Sequence, residues 1–276
     1  MASLPVGIRD IDIVFPARII ICSASFTGKT VLARQILKQA LATKAVKDVH
    51  VFSSTADVSG DWAGVPGDRI HSPGDIEALQ ANIDDCKERK EEAGGKAPSM
   101  LLIFDDVLGA EGGMSFDDPE MQKVLNWCFA QGRHYGVSVC GIIQDPIMLK
   151  RRLRSNFTHL YWASIPGDGI KHIYSLCDTE LSQKEFKRAC AVAREAHKYT
   201  FLGYDNTRKQ FVCLQPRQVK FTLRLNPFER KKESKDCDGG ETPSGALAPL
   251  VGRGGGEAPN IDWPARTRTM IWGGPC

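Results

Sequence analysis

Along this chain, short unbroken apolar runs alternate with segments whose apolar residues return every three to four positions. Ala17 to Cys22 (ARIIIC) is rich in β-branched residues and predicts a buried parallel strand. The segment after it places Leu32, Ile36, Leu37 and Leu41 on one helical face. Val49 to Ser53, Met100 to Phe104, Val137 to Ile143 and Thr158 to Ala163 read as further strands. Helices are predicted where Ile76, Leu79, Ile83 and Cys86 form a stripe, over Pro119 to Gln131, and over Ser182 to Glu195. Ser72, Pro73 and Asp75 look like the start of the first of these, with the serine as cap. Thr55 to Asp68 is glycine-rich and is expected to be a surface loop. Tyr199 to Tyr204 and Gln210 to Leu214 form a closing strand pair across an Asp205-Asn206 turn. This alternation implies an α/β fold, a mostly parallel sheet flanked by helices on both faces.

Composition changes the picture at one place. Residues 1–228 have globular character, whereas 229–276 hold nine Gly and five Pro, and this low-complexity tail is expected to be disordered. The 42% hydrophobic and 25% charged content argues against wholesale disorder, and no apolar run approaches the length of a membrane span. The first residues do not resemble a secretory signal, so an intracellular site is expected. Nine scattered cysteines show no metal-ligand spacing, which predicts free thiols. A net charge of +3 does not by itself imply nucleic acid, so any such reading rests on local clusters.

The chemistry concentrates at strand ends. Ser23-Ala24-Ser25-Phe26-Thr27-Gly28-Lys29-Thr30 lies between the first strand and its helix, where the phosphate-binding pattern G-x-x-x-x-G-K-[ST] belongs, with Ser23 in place of the first glycine. That chemistry needs backbone N–H groups at a helix N-terminus, a lysine for the β and γ phosphates, and a hydroxyl for Mg²⁺. Leu101 to Phe104 followed by Asp105 and Asp106 is a Walker B pattern. In it Asp105 would hold the metal and Asp106 would act as general base. Gln144 ends the strand Val137 to Ile143. It is equally a strand-end polar residue and a group placed to meet a γ-phosphate or position water.

The order of these motifs, with the run Arg133 to Pro146 (RHYGVSVCGIIQDP), resembles the FtsK/HerA superfamily of DNA-pumping ATPases, and within it the poxvirus-type DNA-packaging ATPases. The lead-in Val14 to Ile19, Arg154-Ser155-Asn156, and His197 to Asp205 add to the likeness, which spans about Phe15 to Pro216. The resemblance implies a RecA-like domain that binds ATP and Mg²⁺, assembles into a homo-oligomeric ring, and moves double-stranded DNA with capsid or portal proteins as partners. No membrane anchor is visible in the sequence, and the resemblance implies a location at sites of virus assembly, in host cytoplasm or nucleus, or in the virion. It matches Arg133 to the arginine that enters a neighbouring subunit's site, with Arg154 as rival. Asp106 stands where a longer Glu is common. Lys150, Arg151, Arg152 and Arg154 are as easily DNA-phosphate contacts as a solvated helix face. Other readings of the same residues are a helicase or DNA-transfer motor of that superfamily, a P-loop nucleotide kinase, and a non-hydrolysing capsid component that binds ATP.

Overall fold

The structure, a computed structural model, describes residues 9–94, 99–106, 118–148, 156–165, 168–196 and 200–217. The chain divides into two units, Met1–Pro227 and Phe228–Cys276. The tail expected to be disordered lies outside the described residues, as does the basic run 150–154.

The first unit is one eight-stranded sheet in the order β3-β2-β4-β5-β1-β6-β7-β8. Its strands are β1 (Arg18–Cys22), β2 (Asp48–Ser53), β3 (Ile70–His71), β4 (Met100–Asp105), β5 (Val137–Ile143), β6 (His159–Trp162), β7 (Phe201–Asp205) and β8 (Gln210–Leu214). All pairings from β3 through β6 are parallel, and β7 and β8 join antiparallel. The helices are α1 (Lys29–Ala42), α2 (Ala56–Ser59), α3 (Ile76–Glu92), α4 (Pro119–Ala130), α5 (Gly169–Leu176) and α6 (Gln183–Ala196).

Strand periodicity builds two cores. Along β1, Ile19 and Ile21 face α1 and pack with Leu32 and Ile36, while Ile20 and Cys22 face the other way, into the cluster of Leu125, Ile173 and Phe186. Both faces are therefore covered, which is why the parallel strands read as unbroken apolar runs. Each fully buried Leu or Ile contributes about 1.5–3 kcal/mol, so α1 is held chiefly by Leu32, Ile36 and Leu37.

Three details differ from the sequence expectations. The cap of α3 is Asp75, whose carboxylate accepts from the Ala78 N–H at 2.9 Å; Ser72 lies upstream of a turn through Gly74, whose φ is +77°. The glycine-rich segment Thr55 to Asp68 is not a simple surface loop, because Trp62 within it is fully buried. Strand β3 and helix α5 are additional elements, both too short for periodicity to announce.

Candidate functional site

The parallel strands end together at one edge of the sheet. Register pairs Cys22 with Ile143 and Asp105 with Ile142, so the tips of β1, β5 and β4 are level. Adjacent strands lie about 4.8 Å apart, which sets the tips of β1 and β4 about 10 Å from each other with β5 between.

The turn after β1 is pinned on both sides. Ser23 N–H donates to the Ile143 carbonyl at 3.2 Å and Ala24 N–H to the Ser164 carbonyl at 3.4 Å. Thr27 Oγ1 donates to the Ala24 carbonyl at 2.8 Å. Phe26 and Gly28 then take φ of +60° and +93°, left-handed conformations that close the turn onto α1. Gly28 caps α1 without any side chain, leaving first-turn N–H groups without a side-chain acceptor at the positive end of the helix dipole. Lys29 is 7% exposed, and its Nζ donates to the carbonyls of Ser23 at 2.9 Å and Ala24 at 3.2 Å. Among the described residues it forms no ion pair, so the turn folds a buried ammonium and free amides into one anion-seeking hollow. Ser23, at the position where the pattern calls for glycine, is fully buried.

Across β5 stands the acidic pair. Asp105 is 5% exposed and accepts from Trp62 Nε1 at 2.8 Å. Burial pushes its carboxyl up to about 6; the Trp62 hydrogen bond opposes this and the neighbouring Asp106 charge adds to it. Asp106 takes φ of +55°, a conformation Asp tolerates better than most residues, and its N–H donates to the Ile142 carbonyl at 3.2 Å.

Gln144 joins the two halves. Its Nε2 donates to Asp106 Oδ2 at 2.9 Å, and its Oε1 accepts from Ser25 Oγ at 3.1 Å. Only one amide orientation serves both partners, because a carboxylate accepts and cannot donate. Ser25, Gln144 and Asp106 thus form a continuous hydrogen-bonded line from the turn to the acidic pair.

The donor set is one of hard oxygens. The hydroxyl of Thr30, half-buried at the start of α1, and the carboxylate of Asp105 are what a Mg²⁺ ion takes from a protein, the remaining positions going to water and phosphate oxygens. No group of three or more His, Cys, Asp or Glu that could cage a metal is present among the described residues.

Arg133 stands elsewhere. It lies exposed in the turn Gly132–Tyr135 that precedes β5, with its Nε donating to His134 Nε2 at 3.3 Å. The length of β5, about 20 Å, separates it from Gln144 in the same chain. Its charge reaches Arg18 at the start of β1, whose pKa burial lowers and the Arg133 charge lowers further. Lys150, Arg151, Arg152 and Arg154 fall outside the described residues. Trp62 escaped the sequence reading, and Ser25 entered it only as part of the turn. Trp62 had one signal, a large aromatic inside a glycine-rich stretch, and the hydroxyl of Ser25 had none beyond membership of the turn.

No family model matches the chain and no curated protein matches its sequence. Solved structures share its fold. The pCW3 conjugation coupling protein TcpA, determined as a monomer with ATPγS, superposes with a TM-score of 0.52 at 14% identity over 74% of this chain. The chain spans 61% of that protein's length. The genome packaging NTPase B204 from Sulfolobus turreted icosahedral virus 2, in complex with sulfate, gives 0.51 at 11% identity, covering 75% of this chain and 98% of B204. Its complex with AMP gives 0.50 at 12% identity, over 73% and 98%. No helix among the described residues is long and apolar enough to cross a membrane.

Proposed function

We propose that this chain is an ATP-hydrolysing motor of the FtsK/HerA type that drives double-stranded DNA into a viral capsid. The single observation that supports hydrolysis over mere nucleotide storage is the line Ser25, Gln144, Asp106, which ties the phosphate-seeking turn to a carboxylate placed to take a proton. The shared fold with a genome packaging NTPase supports the choice of motor.

Bound Mg·ATP supplies the γ-phosphoryl group that is transferred to water. In this reading Lys29 Nζ turns from the carbonyls of Ser23 and Ala24 to meet phosphate oxygens, and the α1 amides meet the rest. Thr30 and Asp105 would hold the metal, and a cation there would favour the ionised form of Asp105, whose carboxyl burial pushes up. Asp106 has one oxygen engaged by Gln144, and its Oδ1, with no partner among the described residues, would accept the proton of a water. Gln144, held by Ser25, fixes the direction of that carboxylate and reports the state of the turn to it.

Arg133 cannot serve its own site, so in this proposal it completes a neighbouring subunit's site within a ring, with Arg154 as the rival. Segment 150–154, capsid or portal partners, and action at sites of virus assembly belong to the same proposal.

The test is ATP hydrolysis by the purified chain with and without double-stranded DNA. DNA stimulates the native protein. Lys29→Ala removes turnover by about 10³-fold while the far-ultraviolet spectrum is unchanged. Gln144→Ala lowers kcat by about 10- to 100-fold with KM little altered, because the residue acts on the water side. Phosphate transfer to a nucleoside would replace the motor with a kinase. Stimulation without encapsidation in a packaging assay would leave a DNA-transfer motor.

A further inference from the structure

On the face of the sheet opposite α1, the tip of β6 and the side of α6 enclose a cavity of about 170 Å³ that the proposed chemistry does not use. Its inner wall carries two buried polar groups that the described residues leave under-satisfied. Trp162 is 2% exposed and Thr200 6%, yet among the described residues Thr200 Oγ1 has no hydrogen-bond partner and Trp162 Nε1 has none but a thiol. The Cys190 thiol that faces the indole is a weak acceptor. Leaving such groups unsatisfied destabilises the fold, and native interiors rarely tolerate it without a reason.

The rest of the lining defines what would satisfy them. Ile165, Ile170 and Leu202 make apolar walls. Lys187 and Arg194, seven residues apart on one face of α6, are exposed at the mouth. The inner end therefore calls for an acceptor that meets the indole N–H and exchanges a hydrogen bond with the threonine, the middle for an apolar body, and the mouth for negative charge. A volume slightly above that of a cavity that holds benzene sets the size at one ring or its equivalent.

We infer that this cavity is a second ligand site, taking a small organic anion whose apolar, ring-sized body ends in a hydroxyl or carbonyl. It is separate from the turn around Lys29, which its lining meets at the Ser164 carbonyl that accepts from Ala24 N–H.

The probe is 4-hydroxybenzoate, compared with phenol and benzoate, against the full chain labelled with ¹⁵N at its five tryptophans. Trp162→Phe identifies the Trp162 indole signal. That signal shifts and saturates with 4-hydroxybenzoate at millimolar concentration. Phenol, lacking the charge, binds about tenfold more weakly, and so does 4-hydroxybenzoate to Lys187→Ala/Arg194→Ala. Benzoate, lacking the inner hydroxyl, loses several-fold. Thr200→Val also weakens binding several-fold, and it raises the Tm of the free protein by about 2–4 °C because it removes an unsatisfied buried hydroxyl. No saturable shift in the native protein, equal binding of phenol and the acid, or unchanged affinity in Lys187→Ala/Arg194→Ala would each overturn the site. A fall in Tm for Thr200→Val would show the hydroxyl to be structural and would overturn it too.

Discussion

Asp48 and Asp105 are buried to nearly the same degree, 6% and 5% exposed, and the protein treats them oppositely. Asp48 opens β2 and is ringed by two arginines and a histidine, with Arg69 Nη1 at 2.9 Å, Arg89 Nη1 at 3.5 Å and His50 Nε2 at 3.5 Å. Burial opposes its ionisation, but the hydrogen bond and charge of His50 and the charges of both arginines outweigh burial and hold its carboxyl below the ordinary value. Asp105 closes β4 with one tryptophan N–H, and among the described residues no cation lies within 4 Å of it. Its carboxyl is pushed up to about 6. At the edge where strands begin, the chain neutralises its own charge. Where they end, it leaves a carboxylate and a buried ammonium without ion-pair partners among the described residues, as the metal and anion site proposed above requires and a structural ion cluster does not.

The contrast can be broken by exchanging the outcomes of substitution. Asp105→Asn lowers ATP hydrolysis by about 10²- to 10³-fold and leaves the stability of the free protein near or above native, measured by urea unfolding beside turnover. Asp48→Asn does the reverse: hydrolysis persists, and stability falls by about 2 kcal/mol. That is less than for a fully buried pair, because both arginine side chains are more than a quarter exposed. Trp62→Phe sharpens the comparison. It removes the one donor to Asp105 among the described residues, costs about 1 kcal/mol, and moves the acid limb of the pH–rate profile to higher pH.

The smallest effect is the pH dependence of stability. The folded value of Asp105, about 6, lies above its ordinary 3.8, so its contribution is full below about pH 4 and is lost as pH rises to about 6. Asp48, held below its ordinary value, contributes above about pH 4 and loses that contribution as pH falls. Urea midpoints between pH 4 and 6 should therefore decline less steeply in Asp105→Asn than in the native chain. An unchanged slope would mean that Asp105 is not the group responsible.

The sequence made one half of this site readable. The strand Val137–Ile143 is bounded as its apolar run predicts, and Gly28, Lys29 and Thr30 open α1 because a left-handed glycine and a bare helix start are local requirements. What could not be read depends on distant partners. The apolar run ending in two carboxylates marks Asp105 locally, but not how the fold treats it beside the equally buried Asp48; that difference comes from Arg69, Arg89 and Trp62, which only the folded sheet brings near. Ser72 and Asp75 are both acceptable caps by composition, and the turn at Gly74 decides for Asp75. The bond from Ser25 to Gln144 spans 119 residues, beyond the reach of any periodicity.

Strand β5 has seven residues, all buried, and is paired on both flanks. Such a strand cannot slide by one residue without turning its apolar side chains to the wrong face, nor lengthen without breaking bonds to two neighbours. It behaves as a stiff rod with Gln144 at one tip and Arg133 just beyond the other. A displacement imposed at the glutamine would therefore arrive, undiminished by slack, at the far side of the molecule, where an adjoining copy could feel it.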